Sequence, residues 1–225
     1  DDNSSVFTFW TKGGGLLEDC IASGTGRKMI LLYQSDNVTV RRCYTAWQRW
    51  DGRNFCGVTW PNAETVQVYN GNGNTFENIL AAGPSPVWLI AVQSNSDAAV
   101  ANNNRVLGSI AVGAGMAANG TAYTYGPRPM PSDCGENLRS FEWPNQRAGV
   151  MLWGQGTMQN NTFRDILTTG NAGLGFSYDR PYGPGATGTV VDRLTAYGNG
   201  MYAPAGDGGK GAQVKFNGIV PTNSC

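Results

Sequence analysis

Apolar residues along this chain come in short clusters that repeat one spelling. "NTFENILAAG" at 74–83 returns as "NTFRDILTTG" at 161–170, and four looser copies can be aligned with them. These are "LLEDCIAS" (16–23), "VTVRRCYTA" (38–46), "NRVLGSIAVG" (104–113) and "GTVVDRLTAYG" (188–198). The alignment puts Leu17, Val40, Phe76, Val106, Phe163 and Val190 in one apolar column. Three places on, Cys20, Cys43, Ile79, Ser109, Ile166 and Arg193 form a second column that is mostly small or apolar, with two mainly polar positions between the columns.

A further strand-like segment follows each copy: "MILLY" (29–33), "VQVY" (66–69), "VWLIAV" (87–92), "GVMLW" (149–153), "LGFSY" (174–178) and "AQVKF" (212–216). One more, "VFTFW" (6–10), precedes the first. Each unit therefore predicts strand, turn, strand and loop. The motif is constant while its spacing varies, as in a solenoid with loops of unequal length. A single unit is too thin to bury its own apolar residues, but stacking units about 4.8 Å apart lays like on like and builds a continuous core.

The recurring rung of Asn, any residue, apolar, any residue, Asn or Asp, apolar is strongest in "NTFENI" and "NTFRDI". On it, residues 6–218 resemble the right-handed parallel β-helix repeat proteins, the superfamily of pectate lyases, polygalacturonases and phage tailspikes. The resemblance implies an all-β, right-handed parallel β-helix of about six turns. It implies little about function, because one scaffold hosts many activities. The two decapeptides then read as equivalent turns with equal core environments, and the whole chain, 1–225, reads as one domain. Side loops are expected near 46–65 and 113–147, with a tail at 219–225.

Composition agrees: Gly is abundant, with 32 residues, and only 14% of the chain is charged. Sixteen basic residues balance sixteen acidic ones, which offers no long-range pull on nucleic acid or an anionic membrane. No apolar stretch approaches the roughly 20 residues that cross a bilayer, so membrane insertion is not expected. The opening "DDNSSVF" is not a signal peptide and reads as the start of a mature form. Low charge with much Asn and Gly points to an extracellular or cell-surface protein. Asn3, Asn37, Asn119 and Asn160 stand in Asn-x-Ser/Thr triplets, which matter only where the source glycosylates.

Candidate chemistry is sparse. The chain has no His, no CxxC pair and no DxD cluster, so neither a structural metal nor a cofactor is expected, and paired-acid or calcium-dependent chemistry lacks its motif. Glu18, Arg41 and Glu77 read as a ladder of alternating sign; Arg41, Arg42 or Arg164 could serve a lyase as base. Trp47, Arg49, Trp50 and Trp60 crowd one loop, either as a sugar or protein platform or as a cover over the rungs beneath. Of five cysteines, Cys56 and Cys134 are the preferred disulfide between the two long loops, Cys20 and Cys43 read as stacked unpaired core residues, and Cys225 stays free in the tail.

No amphipathic lid segment is visible at either end. The leading expectation is therefore a structural protein whose partners are copies of itself, joined end to end through Val6, Phe7, Phe9, Val214, Phe216 and Cys225. The alternative is a β-helix that binds or cleaves an extracellular polysaccharide.

Overall fold

The computed structural model describes residues 5–24, 28–47, 64–83, 88–114, 148–179, 186–200 and 213–215, all in strands and connecting segments, with no helix among them. The strands in chain order are β1 (Ser5–Phe9), β2 (Gly15–Glu18), β3 (Ile21–Gly24), β4 (Lys28–Tyr33), β5 (Val38–Arg41) and β6 (Tyr44–Trp47). Next come β7 (Glu64–Tyr69), β8 (Thr75–Glu77), β9 (Leu80–Ala82), β10 (Trp88–Ser94), β11 (Arg105–Leu107) and β12 (Ile110–Val112). The last five are β13 (Ala148–Gly154), β14 (Thr162–Thr169), β15 (Leu174–Asp179), β16 (Val190–Tyr197) and β17 (Val214–Lys215).

Every pairing is parallel, and the strands form two sheets. One runs β1-β4-β7-β10-β13-β15-β17; the other contains the remaining strands, joined through β14. The chain visits the sheets alternately: one straight strand in the seven-stranded sheet, then one bent course in the other. The six bent courses are β2–β3, β5–β6, β8–β9, β11–β12, β14 and β16. This accounts for the repeated spelling, because each copy occupies the same place one strand further along.

The bend itself was not legible in the alignment. A single residue in the left-handed region separates the halves of each course: Asp19, Arg42, Asn78, Gly108, Asp165 and Arg193, with φ between 51° and 55°. Asp, Asn and Gly accept that conformation readily; Arg does so at a small cost. Backbone hydrogen bonds continue through the corner, as from Asn78 N–H to the Leu107 carbonyl at 2.9 Å. At Gly108 a Cβ would crowd the side-chain oxygen of Asn78, so a larger residue there would require that side chain to shift.

Register corrects the last repeat by one residue. Phe163 pairs with Val191, and Thr162 with Val190. Val191 is buried while Val190 is 39% exposed, as the two-residue period of a strand requires. The first core column is thus Leu17, Val40, Phe76, Val106, Phe163 and Val191. The same correction replaces Arg193 by the buried Leu194 in the second column, so the charge that seemed to break that column stands instead at the corner.

The core lies between the sheets. Ile30, Val66, Ile90, Val150 and Phe176 of the seven-stranded sheet face it, and Phe163 meets Phe176 edge to face at 5.2 Å. Phe7 and Phe9, expected at an assembling end, pack partly buried against this core. A second apolar cluster, Trp88, Ala91, Ala148, Met151 and Leu174, is also buried, with Trp153 packed against it.

Asparagine ladders close the corners between sheets. The side-chain oxygen of Asn74 accepts from Val38 N–H, that of Asn104 from Asn74 N–H, and that of Asn161 from Asn104 N–H, at 2.9–3.0 Å. A second ladder runs from Ala114 through Asn171 and Asn199 to Gln213. Each amide satisfies backbone groups that a bend would otherwise leave unpaired in a dry interior.

Cys20 and Cys43 are not free core thiols: they form a disulfide with Cα atoms 4.6 Å apart. Neighbouring parallel strands place column-mates within disulfide reach, so two stacked cysteines can bond. Cys56, Cys134 and Cys225, and with them the preferred loop disulfide and the free tail thiol, lie outside the described residues.

Candidate functional site

Two groups of side chains stand out from the scaffold: a charged corner and an aromatic row beside a surface depression. The corner follows from the bend. The left-handed residue and the one before it carry the charges while the one after it turns into the core, so acids and arginines written one repeat apart become neighbours. Arg41 Nη2 reaches Glu18 Oε2 at 2.7 Å. Arg42 grips Asp19 with two bonds, 2.7 and 2.9 Å, and also donates to Glu18 at 2.8 Å.

Four courses away the pattern recurs. Arg193 binds Asp165, with Nη2 to Oδ2 at 2.7 Å, and Asp192 at 2.9 Å; Arg164 Nε lies 3.2 Å from Asp192. The Arg42 hydrogen bond holds the Asp19 carboxyl below its usual range, and the Arg41 hydrogen bond does the same for Glu18, each against a smaller opposing effect of desolvation. Arg193 likewise lowers Asp165. In return Arg42 is pushed further above its already high value, first by its hydrogen bond to Asp19. A guanidinium so held does not take up a proton, so Arg42 is unsuited to the role of base. Arg41 and Arg164 also stand against carboxylates. The expected ladder is real at Glu18 and Arg41, but its arginines converge on acids of the same chain rather than on a groove.

The aromatic row lies at the end of the seven-stranded sheet. Strands β1, β4 and β7 are each closed by an aromatic residue: Trp10, Tyr33 and Tyr69. Tyr33 and Tyr69 are paired in register, and their rings stack at 5.3 Å with planes 18° apart. Trp10 meets Tyr33 edge to face at 5.4 Å and is 74% exposed. The residues just beyond the row, Lys12, Gln34 and Asn70, line an open depression of about 300 Å³ whose other wall is Ser96 and Ala98 to Val100.

Charge in the depression is internally balanced, because Lys12 Nζ lies 3.1 Å from Asp36. Asn70 Oδ1 accepts the backbone N–H of Asn95 at 2.8 Å, which fixes its amide. Gln34 and Asn70 both occupy the left-handed region, φ 49° and 56°. That conformation turns the chain away from the sheet immediately after each tyrosine.

Of the residues singled out in the sequence, Trp47 ends β6, but its side chain and all of Arg49, Trp50, Trp60, Phe216 and Cys225 lie outside the described residues. Val6 and Val214 are 46% and 36% exposed on the first and last strands of the seven-stranded sheet. Trp10, Tyr33 and Tyr69 were missed as a group. Their signal was present in "VFTFW", "MILLY" and "VQVY", which all end in an aromatic residue.

No protein-family model matches the sequence, and no curated protein matches it significantly. The class that the fold defines is an all-β protein of parallel strands in stacked sheets. Among the described residues no group of three or more His, Cys, Asp or Glu side chains is placed to hold a metal ion.

Proposed function

We propose that this is an extracellular, right-handed parallel β-helix of the pectate-lyase-like kind that binds an uncharged polysaccharide along the Trp10–Tyr33–Tyr69 row. A right-handed path is the nearly universal choice for parallel strands joined by crossovers. The Cys20–Cys43 disulfide supports an oxidising compartment. The observation that carries the binding reading is the exposed indole of Trp10 at the head of an aromatic row that borders a depression whose lining includes the amides of Gln34 and Asn70. Aromatic faces cover the apolar faces of sugar rings while amides meet hydroxyl groups, and few convergent polar groups suffice to orient a ligand. The Lys12–Asp36 pair leaves the depression without net charge, which favours a neutral glycan over an acidic one.

The test is a titration of intrinsic tryptophan fluorescence with neutral oligosaccharides of graded length, repeated on Trp10→Ala. Saturable quenching in the wild type that Trp10→Ala abolishes supports the reading. Identical traces for the two proteins, or a preference for acidic oligosaccharides, overturn it.

A second reading, structural assembly end to end, is favoured by a different observation. Exposed large apolar side chains stand at both extremes of the described stack, with Val6, Trp10, Leu16 and Ile21 at one and Val190, Tyr197 and Val214 at the other, besides those on the courses between. Negative-stain microscopy over a concentration series tests it; fibres would support it and dispersed particles would sink it. A Cys225→Ser variant is a cleaner control there than reductant, which would also open Cys20–Cys43.

A further inference from the structure

The outward face of β3, β6, β9, β12 and the second halves of β14 and β16 bears no charged side chain. Register sets Ile21, Tyr44, Leu80, Ile110, Leu167 and Thr195 in one outward column. Ile21 is 73% exposed, and Tyr44, Leu80 and Ile110 are 36–40% exposed. Beside it run Ser23, Ala46, Ala82, Val112, Thr169 and Tyr197, small or weakly polar until the exposed tyrosine. Single exposed apolar residues need no explanation, but a continuous column of them does. The strip is bordered on one side by the corner column, where charge reads Asp19, Arg42, Asn78, Gly108, Asp165 and Arg193.

We propose that this face is covered by a second copy of the chain, with the two stacks antiparallel about a two-fold axis parallel to the strands. Such a rotation reverses the order of courses and keeps each column opposite itself. The first course then meets the sixth, the second the fifth and the third the fourth. In the corner column Asp19 faces Arg193 of the second copy, Arg42 faces its Asp165, and the neutral Asn78 faces its Gly108. All four charged meetings are between opposite signs.

The small-residue column is matched as well, with Ser23 opposite Tyr197 and Ala82 opposite Val112. A two-fold axis along the stack would instead keep the courses level but carry the corner column to the opposite edge of the strip, so none of these charges would meet a partner of opposite sign. Self-complementarity under a two-fold axis is what an isologous interface requires. The column of Glu18, Arg41, Arg164 and Asp192 lies on the other half of the bent courses, around the corner from the contact. Six strands about 4.8 Å apart make a strip roughly 24 Å long. Half-courses of about three residues at ~3.3 Å each give it a width of roughly 10 Å, so its ~240 Å² falls short of the ~800 Å² per partner of a stable complex, and the association is weak and reversible.

Sedimentation velocity from low to several hundred micromolar protein tests the pairing. The wild type should move from the 24.0 kDa monomer towards twice that mass. Leu80→Asp with Ile110→Asp places four carboxylates at the centre of the dimer and should give monomer at every concentration. Both positions are surface ones, and an unchanged far-UV spectrum and melting curve would show that the fold is kept.

Arg42→Asp alone should weaken the dimer about tenfold or more, and adding Asp165→Arg should restore it to within about threefold. That rescue cannot arise inside one chain, because the second and fifth courses do not touch, nor from end-to-end stacking, which leaves both of them internal. A wild type that stays monomeric assigns the face to another segment of the chain or to a different partner, and overturns the proposal. So does a Leu80/Ile110 variant that pairs like the wild type, or a double charge exchange no better than the single one. Loss of glycan binding in Trp10→Ala would leave this outcome untouched.

Discussion

Val190 and Val191 are adjacent and chemically identical, yet only one of them belongs to the core. Val191 lies between Phe163 and its neighbours with no exposed surface, whereas Val190 faces outward. Val191→Ala should therefore cost about 2 kcal/mol in chemical denaturation, and Val190→Ala no more than about 0.5 kcal/mol. Equal losses would mean that the register is wrong. The carboxyls of the corner give a second prediction at this scale. Glu18, Asp19 and Asp165 are held below their ordinary values of 4.5, 3.8 and 3.8 by arginine hydrogen bonds. A lowered folded value adds stability above the ordinary value, and this is lost as pH falls through the lower, folded one. Melting temperature should thus decline below about pH 4. The decline should be modest, because these groups face solvent, and it should be smaller in Arg42→Ala.

At the scale of the element, the ladders and the disulfide hold neighbouring strands in step. Asn104 takes the backbone and side-chain N–H groups of Asn74 on its oxygen and donates to Asn161 and the Gly71 carbonyl. Asn104→Ala strands several buried polar groups at once, and a loss of about 3 kcal/mol in urea denaturation is expected. The Cys20–Cys43 bridge closes a segment of 23 residues between the first two courses. Replacing both with Ser should cost about 3 kcal/mol, chiefly through a freer unfolded chain. Failure of reductant to lower the wild type's stability would count against the bridge.

Across the whole molecule, the two faces of the bent sheet have different tasks. Its inner side carries the apolar columns, and its outer side divides at the corner into a charged half and an uncharged half. The uncharged half is the surface proposed for a second copy, and the aromatic row at the end of the other sheet is the surface proposed for a glycan. These surfaces lie on different sheets, so the proposed dimer should bind oligosaccharide as its monomer does. Fluorescence titrations of the wild type and of the Leu80/Ile110 variant should then overlay at every protein concentration. A large difference would show that the two surfaces are coupled.

Much of the scaffold was legible in the residues alone. The constant motif around Leu17, Val40, Phe76, Val106 and Phe163 announced stacked equivalent strands despite its varying spacing, since only like environments reward like residues at one position. The seven strands headed by "VFTFW" and "MILLY" were legible for the same reason. What the chain could not announce depended on proximity across courses. Two adjacent valines led the alignment to Val190 where the core takes Val191, because either satisfies a local apolar pattern and only pairing with Phe163 decides between them. The half-strands after each bend are as short as three residues, too brief for a period, and their exposed column becomes continuous only when the courses stack. The Cys20–Cys43 bond, the mutual engagement of Arg42 and Asp19, and the gathering of Trp10, Tyr33 and Tyr69 join residues 23 or more places apart. Sequence by itself determined which segments are equivalent; tertiary structure decided the last register and which equivalents touch, because a strand spacing of a few ångströms turns distant repeats into neighbours.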